Sequence, residues 1–242
     1  ELYKNVSCIL STENLGMGSG NNIGIKKADT DFVLILNPDV ILEETTINEL
    51  VIASKKVSNF AILAPISSDV YYPNYKFDNK EKKISDNKLP FKVKSVDGFA
   101  MLFNKKKLNK ILNENYFDEN FFMYLENDDL CKRIIDAKED IYIAPNSKIK
   151  HLGGKAVNAK YKNEVEFARN WHWIWSKFYF NKKHYGYFTA LIKGLPTFFS
   201  GFIKYFFYFL IRNKVKQKIY LNRMLGFLNA AINKKSWYRS QF

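Results

Sequence analysis

Three groups of polar residues sit where an α/β protein keeps its chemistry. The first is Asn37-Pro38-Asp39, directly after the apolar run Phe32-Val33-Leu34-Ile35-Leu36. A continuously apolar run of that length reads as a strand covered on both faces, and open α/β sheets bind ligands at the carboxyl ends of their strands. A single carboxylate there suits Mg²⁺ whose other ligands are substrate phosphates and water. A turn Asp after Pro is the plainer alternative. Asn37 can orient the same site through its amide. The second group is Glu126-Asn127-Asp128-Asp129. Negative charge and an Asn cap favour a helix start, yet three carboxylates beside Phe121-Phe122-Met123-Tyr124 can also shelter a general base and tune its pKa. The third is His151, which is either a metal or phosphate contact or a structural histidine.

The elements that must position these residues follow from the pattern. A short strand over 6–10 leads into a turn, Asn14-Leu15-Gly16-Met17-Gly18-Ser19-Gly20, and a helix begins over 21–28. Glycines between a strand and a helix can expose backbone N–H groups to a phosphate or ribose. A dinucleotide fingerprint needs its third glycine where Asn21 stands, which argues against nicotinamide binding. Thr45 or Thr46 can cap a helix carrying Ile47, Leu50, Val51 and Val57. A strand over 60–64 ends at Pro65, and residues 66–94 read as a long loop. A strand over 96–103 contains Asp97-Gly98, a helix follows over 105–112, another runs through Leu130, Ile134 and Ile135, and a last strand spans 141–144 before Pro145. No internal repeat is evident.

Charge divides the chain. Residues 1–150 carry 21 Lys and Arg against 22 Asp and Glu, whereas residues 151–242 carry 17 against 2 and hold all four Trp. A nearly neutral body followed by a basic, aromatic tail suits a polyanionic surface. The tail's aromatics cluster in apolar blocks instead of alternating with basic residues, which argues against nucleic acid and for anionic lipid. The apolar stretch 185–211 is interrupted by Lys193, Pro196 and Lys204. Its longest charge-free run falls well short of the about 20 residues of a span, so either interfacial helices or a buried helical hairpin is expected. Cys8 and Cys131 give no disulfide framework and fit a reducing compartment. Cys131 lies in an apolar stripe and reads as packing.

Taken in order, several motifs resemble family 2 glycosyltransferases, especially the rhamnosyltransferase-like bacterial branch. They are Asn14-Leu15-Gly16 with Asn21-Asn22-Ile23-Gly24-Ile25, then Leu36-Asn37-Pro38-Asp39-Val40, Asp97-Gly98, and Phe117-Asp118-Glu119 with Phe121-Phe122. Glu126 with Asp129-Leu130-Cys131 and Arg133, then Pro145 and His151, complete the set. The resemblance covers about residues 1–180. It implies a GT-A nucleotide-diphospho-sugar transferase fold, a mixed and mostly parallel sheet flanked by helices, over 1–180, with 181–242 as a helical basic and aromatic region. It further implies inverting transfer of a sugar, rhamnose in that branch, from a nucleotide-diphosphate sugar to a glycan or lipid-linked acceptor in cell-surface polysaccharide synthesis. The expected location is cytoplasmic, peripheral at the inner face of the plasma membrane.

By that resemblance Asp39 holds Mg²⁺ or Mn²⁺ against the donor diphosphate and His151 approaches the metal. Asn14, Gly16, Asn21, Asn37, Asp97 and Gly98 lie on the donor side, and Asp118 and Glu119 border the acceptor. Glu126, Asp128 and Asp129 supply the catalytic carboxylates. The family usually has Asp where this chain has Asn127, and an amide cannot accept a proton. Asp128 is then the expected base. A catalytically inactive, membrane-associated binding protein is the alternative. The family's first strand and its nucleotide-contacting Asp are expected upstream of Glu1, because the sequence opens without an initiating Met.

Overall fold

The run Phe32-Val33-Leu34-Ile35-Leu36 forms β1 (Phe32–Leu36), but only Ile35 is fully buried and both ends are exposed. In the computed structural model, which describes residues 4–69, 71–77, 89–153 and 159–239, β1 pairs with one strand alone. β1 is thus an edge strand among the described residues, with Phe32 and Leu36 exposed at its ends. The chain turns at Asn37-Pro38-Asp39 into β2 (Val40–Leu42), then α2 (Thr46–Lys56), β3 (Ile62–Ser67), β4 (Tyr75–Lys76), β5 (Phe91–Val93), β6 (Ser95–Val96) and β7 (Ala100–Asn104). Next come α3 (Lys105–Leu112), α4 (Glu126–Asp136) and β8 (Ile141–His151). Ahead of β1 lies α1 (Met17–Lys27).

The main sheet runs β1-β7-β3-β8-β2, with β5 also on β8. Among the described residues the β3–β8 pair is parallel, and the other ladders are antiparallel. The sheet is therefore mixed but not mostly parallel. Its core combines Ile62, Ala64, Met101, Phe103, Ile141 and Ile143 with Ile25, Leu108, Phe117, Leu130 and Ile134 from the flanking helices and loops.

Several local expectations fail for identifiable reasons. Residues 6–10 form no strand; Val6 and Leu10 are largely exposed, and this segment joins no ladder among the described residues. The glycine segment is not a turn before a helix but the first part of α1. Gly16, at φ +85°, is its N-cap, and Gly18 and Gly20 lie inside the helix. Pro65 does not end β3; it pairs with Ala144 at a register shift, where a strand tolerates a missing N–H. Likewise β8 passes through Pro145. In α2 the buried positions are Thr46, Leu50 and Ala53, whereas Ile47 and Val51 are exposed, so its inner face is rotated from the expected one. Thr45 makes no side-chain cap there; Thr46 instead donates its hydroxyl to the Lys148 carbonyl. Asn127 is not the cap of α4 either, since Leu125 holds that place. The expected loop 66–94 contains β4 and β5, with residues 70 and 78–88 outside the described set.

The tail folds as three helices, α5 (Lys162–Tyr185), α6 (Tyr187–Leu210) and α7 (Lys214–Ala231). The boundary expected after residue 180 falls inside α5. Trp171, Ile174, Trp175, Phe178, Ala190, Phe227 and Ala230 form a second core. Gly226 lets α7 approach the backbone of α5, because a Cβ there would lie 2.4 Å from the Trp171 carbonyl oxygen. Pro196 sits within α6 without ending it. Outward, α6 exposes Phe188, Ile192, Phe199, Ile203, Phe207 and Leu210. No helix among the described residues is long and apolar enough to cross a membrane.

Candidate active site

Strand pairing creates the first part of the site. β2 lies against β8 with Val40 opposite His151, and the Leu152 N–H donates to the Asp39 carbonyl at 3.0 Å. The two residues that the sequence separates by more than a hundred positions thereby meet: His151 Nε2 is 3.4 Å from Asp39 Oδ1. The imidazole is stacked on Phe99, with ring centroids 4.1 Å apart, which fixes its plane. One carboxylate and one imidazole are a donor set suited to Mn²⁺ or Mg²⁺ whose remaining positions are filled by phosphate and water. Among the described residues, no group of three or more His, Cys, Asp and Glu converges as a metal cage.

Asp97 lies in the break between β6 and β7. Burial raises its carboxyl above the usual range, with Lys76 lowering it, Asp128 raising it and His151 lowering it. Those influences place Asp97 electrically between the Asp39–His151 pair and α4. Asp128, on α4, accepts an ion pair from Lys76 at 3.0 Å. Neighbouring Gly98 packs so closely that an added Cβ would lie 2.8 Å from Met17 and 3.3 Å from Asn127. The Asn127 amide donates to the Val96 carbonyl at 2.9 Å, so it is engaged in holding α4 on β6. Glu126 is 6% exposed, and its Oε2 has no hydrogen-bond partner among the described residues. Burial pushes its carboxyl up to about 7, opposed by a backbone N–H and reinforced by Asp128.

Asp129 has the opposite surroundings. It is fully buried, and it accepts from Arg133 Nε at 2.9 Å, from His184 Nε2 at 2.8 Å and from Lys183 Nζ at 2.7 Å. Lys183 also reaches Asp118 at 2.7 Å, which in addition accepts from Tyr179 at 3.0 Å and from the Asn120 backbone at 3.0 Å. Burial alone would raise the Asp118 carboxyl, but the bonds from Lys183 and Asn120 hold it below the usual range. Asp118 and Asp129 are thus joined to α5 through shared cations. Sequence reasoning missed Tyr179, Lys183 and His184. Their signal was present: Tyr179 and Lys183 are four apart, hence on one helix face, but the local excess of cations pointed to lipid.

A cleft of about 1220 Å³ opens beside this cluster. Asn14, Asn37, Glu119 and His151 line it, so those expected positions share one space. Gly16 underlies it, with its backbone against the Phe122 carbonyl. Asn21 does not line it; its amide rests on Met17 Sδ at 2.9 Å, and neighbouring Asn22 instead holds Glu119 and both polar backbone atoms of Phe117. Glu13 and Phe122, Met123 and Tyr124 line it too, and a C-terminal strap, Lys235, Ser236, Tyr238 and Arg239, closes it beside Arg169 of α5.

A family model described as Glycosyl transferase family 2 matches residues 1–112. Rhamnosyltransferase WbbL of Escherichia coli (strain K12) is 24% identical over 184 residues, covering 65% of this chain and 66% of WbbL. The matched region thus spans just under two thirds of that relative's length. Among solved structures, GalNAc-T7 with UDP, GalNAc and Mn²⁺ has a TM-score of 0.48 at 13% identity, covering 67% of this chain and 38% of that one. S. aureus TarS 1–349 has a TM-score of 0.41 at 13% identity, covering 95% and 74%. In sequence, residues 1–112 are thus similar to family 2 glycosyltransferases, and a longer stretch of the chain is similar to a rhamnosyltransferase.

Proposed function

We propose that the protein transfers a sugar, rhamnose by its family likeness, from a nucleotide-diphosphate donor to a glycan or lipid-linked acceptor with inversion at the anomeric carbon. The observation that carries this reading is the Asp39–His151 pair, 3.4 Å apart, beside a cleft also lined by Asn14 and Asn37. Asp39 and His151 hold Mg²⁺ or Mn²⁺, which when bound offsets charge on the departing nucleoside diphosphate. Asn14, Gly16 and Asn37 border the nucleotide, while Asp97 and Gly98 face the donor sugar. Glu119 borders the acceptor, and Asp118 orders that border from behind. Asp128 takes the proton from the acceptor hydroxyl, and its ion pair with Lys76 orients it. Glu126, titrating at about 7, is the other carboxylate suited to that proton. Asp129 holds α4 in place.

The primary test is calorimetric binding of dTDP, UDP and GDP with Mn²⁺, beside Asp39→Ala. Metal-dependent binding of one nucleotide, lost in the variant, is the expected result; binding of none removes this reading. Asp128→Asn and Glu126→Gln then decide the base by which one loses turnover while keeping donor binding.

A second reading, an inactive membrane-associated binding protein, is favoured by Asn127, whose amide is engaged with the Val96 carbonyl at the position of the family's usual base. It predicts intact donor binding with no transfer or hydrolysis. In both readings the protein sits peripherally at the cytoplasmic face of the plasma membrane. The exposed phenylalanines of α6 and the Lys-rich start of α7 support this. Flotation with anionic vesicles should weaken as salt rises through about 0.1 M, and no flotation at low salt removes the membrane assignment.

A further inference from the structure

Two residues ahead of α4 hold a backbone that their side chains disfavour. Tyr124 has φ +70° and Leu125 has φ +66°. The left-handed region is uncommon for residues other than glycine and strained for bulky ones. Among the described residues, the other non-glycine positions with positive φ are Asn113, Glu114, Lys138, Arg212 and Asn233. Each of these follows the end of a helix within two residues, where a left-handed residue ordinarily closes the helix. Tyr124 and Leu125 instead open a helix, the one that carries Glu126, Asp128 and Asp129. Leu125 makes no side-chain capping bond, so support for the conformation comes from elsewhere.

That support is α5. Ser176 is fully buried, and its hydroxyl donates to the Met123 carbonyl at 2.7 Å, one residue ahead of the kink. Trp173 sets its ring edge-on to Tyr124, with centroids 5.4 Å apart. The Phe122 ring leans on His172 at 4.8 Å, and the Phe121 ring meets Tyr179 edge-on at 4.9 Å. Residues 172, 176 and 179 recur at helical spacing on one face of α5, with Trp173 at its border, so segment 121–124 is laid along that face. Beyond the kink, the Leu125 carbonyl accepts from the Asp129 N–H at 2.8 Å. Asp129 in turn pins the same turn of α4 to Lys183 and His184 of α5. Kink and first turn therefore share one support.

We propose that α5 is a template for this kink, with Ser176 and Trp173 as positioning residues that hold Tyr124 and Leu125 left-handed and thereby aim the Asp128 carboxylate. Asp128 lies in the first turn of α4, so a relaxed kink redirects it before the rest of the helix. A misplacement of about 1 Å at a reacting group can cost about a hundredfold in rate. The aiming of Asp128 deepens the transferase reading and rests on it, whereas the holding of the kink does not.

Two measurements on the full chain test this. In amide hydrogen exchange, Ser176→Ala should speed exchange across residues 124–130 by about tenfold and leave residues 187–210 unchanged. In hydrolysis of dTDP-rhamnose with Mn²⁺, Ser176→Ala should lower kcat about tenfold to a hundredfold and leave dTDP binding within about twofold. Both effects should shrink to less than about threefold when Ser176→Ala is added to Leu125→Gly, because glycine holds positive φ without strain and needs no template. Leu125→Asn, which tolerates the left-handed region, serves if α4 frays in Leu125→Gly. Trp173→Ala, at a residue 43% exposed, serves if Ser176→Ala unfolds. Unchanged exchange over 124–130 in Ser176→Ala overturns the proposal, and so do equal effects in the wild-type and Leu125→Gly backgrounds. Faster exchange with unchanged kcat sinks the aiming of Asp128 alone. If wild type does not turn over dTDP-rhamnose, exchange alone upholds or overturns the template, and the aiming of Asp128 falls with that donor.

Discussion

The two sides of α4 handle carboxylates in opposite ways. Towards α5, Asp129 and Asp118 are surrounded by Arg133, Lys183, His184 and Tyr179, and every buried charge is answered. Towards β6, Glu126 is buried and Asp97 half-buried, and burial raises both carboxyls. The first arrangement fixes geometry, because removing either partner strands a charge. The second includes Glu126, which at about 7 changes protonation near neutrality, as proton transfer requires. One helix thus joins a rigid seam to a titratable pocket, a turn or less apart.

The contrast can be broken at several points. The largest effect is expected at the titratable side. Asp128→Asn should lower turnover roughly 10²–10⁴-fold while leaving the denaturation midpoint within about 0.5 kcal/mol of wild type. Steady-state transfer assays beside urea titrations check this, and comparable losses in both would erase the distinction. Next, Asp129→Ala should cost about 3–5 kcal/mol of stability, because it leaves the Arg133 and Lys183 cations and the His184 ring facing a gap without their shared acceptor. Survival of Asp129→Ala with a wild-type midpoint would mean that the seam is ornamental.

A smaller and more diagnostic effect concerns pH. Glu126 has a folded pKa of about 7 against an ordinary 4.5, so it contributes a loss of stability as pH rises from about 4.5 to about 7. Burial pushes the His172 ring down to about 4, chiefly by desolvation, so it contributes a gain as pH rises from about 4 to about 6.5. Each slope is about 1.4 kcal/mol per pH unit, and they oppose one another between about 4.5 and 6.5. Wild-type stability should therefore change little there on account of these two groups. In Glu126→Gln the His172 slope should stand uncovered, with stability rising from pH 4.5 to 6.5 in urea melts. The smallest effect is expected for Lys76→Gln. Its ammonium is largely exposed, so the Asp128 pair contributes only about 0–1 kcal/mol. Its expected signature is a change in turnover far smaller than that of Asp128→Asn in the same transfer assay.

The candidate site residues were easier to single out in the sequence than the bounds of the elements that hold them. Asn37-Pro38-Asp39 and His151 could be singled out because a polar group at the end of an apolar strand is a local pattern. That they meet depends on β2 pairing with β8, a long-range ladder that no local pattern records. Helices α3 and α4 were legible from their periodicity and bounds. The start of α1 was not, because glycines argue for a turn unless packing overrides them, as the seat of Gly18 on Phe117 does here. Pro65 and Pro145 misled for the same reason: a bulge and an irregular ladder tolerate a missing donor. The tail misled most. Its cations suggested a surface, yet Lys183 and His184 turn inward to Asp129, and a one-dimensional charge count cannot tell inward from outward.

The seam has a consequence in time as well as in space. Asp129 lies 55 positions ahead of His184 along the chain. At ribosomal speeds of roughly 5–20 residues per second, Arg133 joins Asp129 almost at once, whereas Lys183 and His184 emerge roughly 3–11 s after it. Closing of the seam therefore waits on synthesis of α5, and slow codons between residues 129 and 184 should lengthen that wait.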